Sequence, residues 1–206
     1  MVADNRWWRG FDTVILDGVA SGSRVLDIGC GDGGLVERLL ASGLDALGVD
    51  PCAPAHPRLI QQPLEQVRSI GQFDAICAVM ALHHAELDEV IPAIRRLLRP
   101  SGRLFVSEFA WELYDERAAG WLALHDRSDA DNSVTGWRLE HDDLHTGATV
   151  RTRLTNAFEL NEETERPYLA RMLGKGELEA EEQAMIAEGA LPALGRWYFA
   201  KGDELS

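Results

Sequence analysis

Apolar runs of strand length alternate five times with helix-period stretches before residue 110. Trp7 to Val19 (WWRGFDTVILDGV) spaces its apolar residues three and four apart, which predicts an amphipathic helix. Arg24 to Ile28 predicts a strand, Gly33 to Ser42 a helix closed at Gly43, and Leu44 to Val49 a second strand. Pro51, Pro54 and Pro57 confine the next crossover to a short irregular segment. A third strand is expected at Arg58 to Gln62, then a helical turn or two over Leu64 to Ile70. Phe73 to Met80 (FDAICAVM) is continuously apolar, as a parallel strand buried on both faces requires. Glu86 to Leu98 places Leu87, Val90, Ile91, Ile94, Leu97 and Leu98 along one side of a helix. Pro92 inside it predicts a kinked start or a separate preceding turn. Pro100-Ser101-Gly102 predicts a turn, and Arg103 to Phe109 a fifth strand.

This alternation is the pattern of a doubly wound α/β sheet. Right-handed crossovers bring the strand carboxyl ends to one edge, which gathers Asp27–Gly33, Asp50, Gln62–Leu64, Met80–His84 and Glu108–Trp111. Beyond residue 110 the pattern changes. Tyr114 to His125 predicts a helix, 126–145 is polar and acidic, and Thr146 can cap a helix reaching Ala157. Phe158 to Leu169 predicts a strand, Glu177 to Ala187 an acidic helix, and Arg196 to Ala200 a final strand.

At 206 residues, with 46% hydrophobic and 26% charged residues, the chain has the composition of a single soluble domain. No apolar run nears the roughly 20 residues needed to span a bilayer, so no membrane role is expected. The amino-terminal stretch lacks the apolar centre of a secretory signal, and Cys30, Cys52 and Cys77 form no C-x-x-C pair. Both point to the cytoplasm. Net charge is −14, with 14 acids against 10 bases in residues 1–109 and 20 against 10 in residues 110–206. Nucleic acid is therefore not expected as a partner. The acidic second half reads as a solvated, solubilising surface.

Candidate chemistry starts at GCGDGG (residues 29–34), a glycine turn between a predicted strand and a predicted helix. Asp50 follows at the end of the next strand, placed to clamp ribose hydroxyls. The glycines satisfy both G-x-G-x-G and G-x-G-x-x-G, so alone they leave the adenosine-type ligand open. His83 and His84, after the fourth strand, can take a proton near neutral pH. His141-Asp142-Asp143-Leu144-His145 imitates a zinc-binding H-E-x-x-H, but a helix starting after His145 would separate the pair. Pocket lining or capping is the expected role, with no metal.

VLDIGCGDG, LGVD, FDAICAVMALHH and LLRPSGRLFVSEF, in this order and spacing, resemble the class I S-adenosylmethionine-dependent methyltransferases over roughly residues 20–110. Asp27, two before the first glycine, and the Arg-Pro-Ser-Gly turn favour that family over dinucleotide-binding dehydrogenases. The resemblance implies a Rossmann-like seven-stranded sheet, mostly parallel with one antiparallel strand and helices on both faces. It implies one methyltransferase domain over 1–206: an amino-terminal helix (1–22), a cofactor-binding core (23–109), and a region (110–206) supplying a lid, the substrate wall and the last two strands. Asp27, Gly29, Cys30 and Gly31 would line the methionine end of S-adenosylmethionine, and Asp50 the ribose. Pro51 and Cys52 would pack on ribose and adenine, and Val79 and Met80 would face the cofactor. Where the family often places an acid against adenine, this chain offers Gln62-Pro63-Leu64-Glu65. In-line transfer to a small-molecule acceptor would leave S-adenosylhomocysteine, with His84, His83 and Glu108 as ordered candidates for a base. Trp111, Trp121, Trp137, Tyr114 and Tyr168 fall in the wall region, most of them as core. The expected assembly is a monomer or homodimer. A non-catalytic S-adenosylmethionine-binding regulator and a NAD(P)-dependent reductase are the alternatives.

Overall fold

The computed structural model describes residues 7–128 and 130–202. Strands β1 (Arg24–Ile28), β2 (Asp45–Val49), β3 (Leu59–Ile60), β4 (Phe73–Val79), β5 (Leu98–Phe109), β6 (Glu159–Arg166) and β7 (Gly195–Lys201) form a seven-stranded sheet in the order β3-β2-β1-β4-β5-β7-β6. The first five pair in parallel; β7 runs antiparallel to both β5 and β6. The expected mostly parallel sheet with one antiparallel strand is what forms.

Period-two alternation builds a core on each face. Leu26, Ile76, Leu104 and Val106 point to one side, beneath α3 (Leu87–Leu97) and α6 (Gly147–Ala157). Val25, Ala75, Cys77 and Phe105 point to the other, beneath α1 (Phe11–Gly18) and α2 (Gly34–Ala41). Residues from α4 (Glu116–His125), α5 (Val134–His141) and α7 (Leu169–Met172) make a third cluster around Phe109, where β5 ends, and partly buried residues of α8 (Glu179–Ala187) pack on it. Register sets the working edge: Ile28 lies beside Val49 and Ala78, and Val79 beside Ser107, so four strand ends finish together.

Local physics explains where the elements depart from expectation. The first helix begins at Phe11, not Trp7, because Gly10 at φ +79° cannot continue a right-handed helix. Pro63 leads into a single 3-10 turn, Leu64–Gln66. Helix α3 runs unbroken through Pro92, which is exposed, so the carbonyl of Asp88 that loses its partner lies where water can reach it. No separate turn at Pro100 interrupts β5. Pairing passes from Phe73 with Leu98 to Ala75 with Arg103, and the intervening residues bulge around Ser101 at φ +59°. Within 126–145 the chain forms α5, started by Ser133, whose Oγ accepts from the Gly136 N–H at 3.0 Å. Among the described residues, no helix is long and apolar enough to cross a membrane.

Candidate active site

The glycine turn leaves β1 at Ile28 and is laced to the end of β2. Gly29 N–H donates to the Val49 carbonyl at 2.8 Å, and Gly31 N–H to Asp50 Oδ2 at 3.1 Å. Asp50 Oδ1 also accepts from Cys52 N–H at 2.6 Å. Gly29, at φ +69°, is fixed by contact as well as conformation: a Cβ there would lie 2.4 Å from Cβ of Ala81. The turn after β4 therefore seats directly on the glycine turn. At Gly31 (φ +54°) a Cβ would meet nothing within 4 Å, so bare backbone fronts open space.

That space is a cavity of about 1180 Å³ at the carboxyl ends of the strands. Such sites commonly measure ~300–1,000 Å³, so this one has room for two small molecules. Asp27, Gly29, Cys30, Gly31, Val79, Met80, His83 and His84 all line it. Asp50, Pro51, Gln62, Pro63, Leu64 and Glu108 do not. Asp50 joins the wall only through Gly31. Pro51 and Gln62 are exposed beyond it, and the Leu64 side chain is in the core, leaving only backbone for a ligand.

Asp27 is 3% exposed, and its hydrogen-bond partner is the Cys77 thiol, with Sγ 3.5 Å from Oδ1. Burial, augmented by the Asp50 charge, pushes its pKa up to about 7. A buried carboxylate so weakly served on a cavity wall is suited to a cationic ligand group. Burial and the neighbouring Asp27 raise the Cys30 thiol to about 12, so Cys30 contributes packing, not nucleophilic sulfur.

Met80 takes φ +52° and turns the chain sharply as it leaves β4. Glu108, 1% exposed at the end of β5, holds that turn: Oε1 accepts from the N–H groups of Ala81 (2.9 Å) and Leu82 (2.6 Å). Its Oε2 lies 2.6 Å from His83 Nδ1. A carboxylate receiving three N–H groups acts as acceptor, so Nδ1 carries the proton and Nε2 the lone pair. Nε2 makes no hydrogen bond among the described residues. His84 is more exposed, at the rim, and partial burial lowers its pKa.

The far wall was legible only in part: Phe109, Tyr168 and the His141–His145 segment stood among the expected edge, wall or pocket-lining residues, whereas Trp7, Trp8 and Glu140 did not. Trp7 and Trp8, before α1, line the cavity, as do Phe109, Glu140, His141, Asp143 and Tyr168. Phe109 and Tyr168 stack at 4.8 Å, and Trp7 stacks on Tyr168 at 5.0 Å. Of the five aromatic residues named for the wall, only Tyr168 reaches the cavity; Tyr114, Trp121 and Trp137 are buried in the third core, against which Trp111 packs. His141 ends α5 and lines the cavity, while His145 lies beyond it, with Nε2 3.1 Å from the Ala85 carbonyl, so the two share no helix face. Among the described residues, no group of three metal-binding side chains forms.

A doubly wound sheet with its cavity at the strand ends, a glycine turn and a delayed acid are the features of a nucleotide-type binding site. The chain belongs to the methyltransferase domain family, which matches residues 13–159. It is 34% identical over 114 residues to an uncharacterised methyltransferase of Mycobacterium bovis, covering 50% of this chain and 45% of that one. It is 33% identical over 107 residues to a ubiquinone biosynthesis O-methyltransferase of Acinetobacter baylyi, covering 44% and 45%. The chain thus matches somewhat under half the length of these relatives. In fold it resembles the Burkholderia thailandensis 1,6-didemethyltoxoflavin-N1-methyltransferase, solved with S-adenosylhomocysteine, at TM-score 0.62 and 17% identity over 98% of this chain and 80% of that one. The Bradyrhizobium japonicum N-methyltransferase NodS aligns at TM-score 0.58 and 18% identity, over 98% and 90%.

Proposed function

We propose that this chain is an S-adenosylmethionine-dependent methyltransferase acting on a small molecule. The observation carrying this is the pairing of the Gly29–Gly31 turn with buried Asp27 on a cavity large enough for donor and acceptor together. The residues fit the cofactor: Asp27 for the methionine ammonium, bare backbone at Gly31 for close approach, and Asp50 for the ribose hydroxyls. Cys30, Val79 and Met80 complete this wall, with Pro51, Gln62, Pro63 and the Leu64 backbone available toward adenine. When bound, the cofactor supplies an electrophilic methyl group on a sulfonium sulfur.

His83 is the proton acceptor this geometry favours over His84. Glu108 fixes its tautomer and orientation, leaving the Nε2 lone pair on a ring that lines the cavity. Glu108 is then a positioning residue, its oxygens occupied by His83 and two backbone groups. The buried, neutral thiols of Cys30 and Cys77 suit a reducing compartment such as the cytoplasm.

Calorimetric titration with S-adenosylhomocysteine tests the reading. Binding is expected, with no response to NAD(H) or NADP(H); the reverse sinks it. Asp50→Ala should weaken that binding roughly 100-fold to 10,000-fold, as two lost charge-assisted hydrogen bonds require.

A further inference from the structure

The acceptor's side of the cavity has a polarity that methyl transfer by itself does not demand. Five carboxylates line the cavity, those of Asp27, Asp32, Glu37, Glu140 and Asp143, and among the described residues no lysine or arginine does. Asp27 faces the donor's half through the glycine turn. Glu140 and Asp143 come from the other wall, at the end of α5 and just beyond it. Between the halves lies a second, independent feature. Tyr168 is 7% exposed and stacked on both sides by Trp7 and Phe109, and its hydroxyl has no hydrogen-bond partner among the described residues. The ring is buried while the hydroxyl is not among the buried unpartnered atoms, so it opens to the cavity and is available to a ligand. With carboxylates and the His83 lone pair beside it, this wall mostly offers hydrogen-bond acceptors and aromatic rings. Its complement carries donors and positive charge.

We propose that the acceptor is an organic amine, admitted as its ammonium ion between Tyr168, Phe109 and the Glu140–Asp143 rim, and deprotonated by His83 for attack. This rests on the methyl-transfer reading above. One N–H proton passes from the ammonium to His83 Nε2, and the freed nitrogen lone pair forms the new N–C bond. The bond between the methyl carbon and the donor sulfur breaks as it forms, its electron pair remaining on sulfur. The methylated nitrogen leaves as an ammonium, and the imidazolium returns its proton to water. A carboxylate or phosphate acceptor would meet like charge at Glu140 and Asp143.

Titration of probes into the full chain saturated with S-adenosylhomocysteine tests this at pH 7. Phenethylamine is expected to bind at least tenfold more tightly than 3-phenylpropionate or 2-phenylethanol. Both rim carboxylates are exposed, so E140Q/D143N should fold normally and keep its S-adenosylhomocysteine affinity within twofold. That variant should reduce the amine preference to below threefold. Equal or tighter binding of the carboxylate or the alcohol, no amine binding, or a preference untouched in the double variant overturns the proposal. Failure of the underlying reading shows itself separately, as no S-adenosylhomocysteine binding in the saturation step, and takes this proposal with it.

Discussion

Asp27 is where sequence motif and physical chemistry meet most sharply. Its folded pKa of about 7 stands above the ordinary 3.8, because burial disfavours the charged form. Between those values the folded chain holds a proton that the unfolded chain has released. The contribution of Asp27 to the stability of the free protein therefore falls as pH rises from about 4 to about 7, with no further loss from it above that. Asp27→Asn removes this component. Urea midpoints at pH 4.5 and pH 8 are expected to differ less in the variant than in the parent chain. A cationic ligand has the opposite linkage and should bind the parent more tightly as Asp27 ionises. His83 supports a second expectation at this scale. His83→Ala should lower kcat by ~100-fold or more with S-adenosylhomocysteine affinity retained. Glu108→Gln should displace the pH profile of kcat, because it alters the partner of Nδ1. An unchanged rate in His83→Ala would remove it from the mechanism.

Elements in this fold are started by glutamates from far along the chain. Glu108 serves the turn at Ala81 and Leu82; Glu112 accepts from Gly147 (2.9 Å) and Ala148 (2.8 Å) at the start of α6. Glu182, with no exposed surface, accepts from Tyr168, Leu169 and Ala170 at 2.8–3.0 Å and so fixes α7 and Tyr168 beside the cavity. Glu112 and Glu182, from the half that reads as a solvated surface, are instead structural fastenings. Glu182→Ala orphans three buried N–H groups and should cost about 3 kcal/mol, or roughly 6–12 °C in Tm, while Glu182→Gln should recover much of it. Thermal unfolding followed by circular dichroism checks both. These fastenings also mark what the sequence could show. The Thr146 cap is legible because its partner lies within a single helical turn, and the glycine turn and Asp50 because they form a motif of fixed spacing, although Asp50 and Gly31 are 19 residues apart. Residues 25 apart make the pairing of Glu108 with His83, and no periodicity announces it. Helix α5 escaped notice because its face toward the core is essentially Trp137 alone, although Ser133 three before Gly136 was a readable start signal.

Across the whole molecule, stability should be graded from the centre of the sheet outward. Strands β1 and β4 are paired on both sides and covered on both faces, whereas β3 is two residues long and β6 is largely exposed at the other edge. Hydrogen exchange is expected to be slowest in Val25–Ile28 and Ala75–Ala78 and fastest among strands in Leu59–Ile60 and β6. The sheet order has a further consequence, for the order of synthesis. The outer edge of β5 is satisfied by β7, and β7 is also what joins β6 to the sheet. While residues 110–194 are being made, roughly 4–17 s at ~5–20 residues per second, that edge stands open beside the apolar residues Leu104–Val106. A nascent chain stalled within that interval presents a ready template for pairing with other chains. Such a chain should need a ribosome-associated chaperone that the finished fold does not.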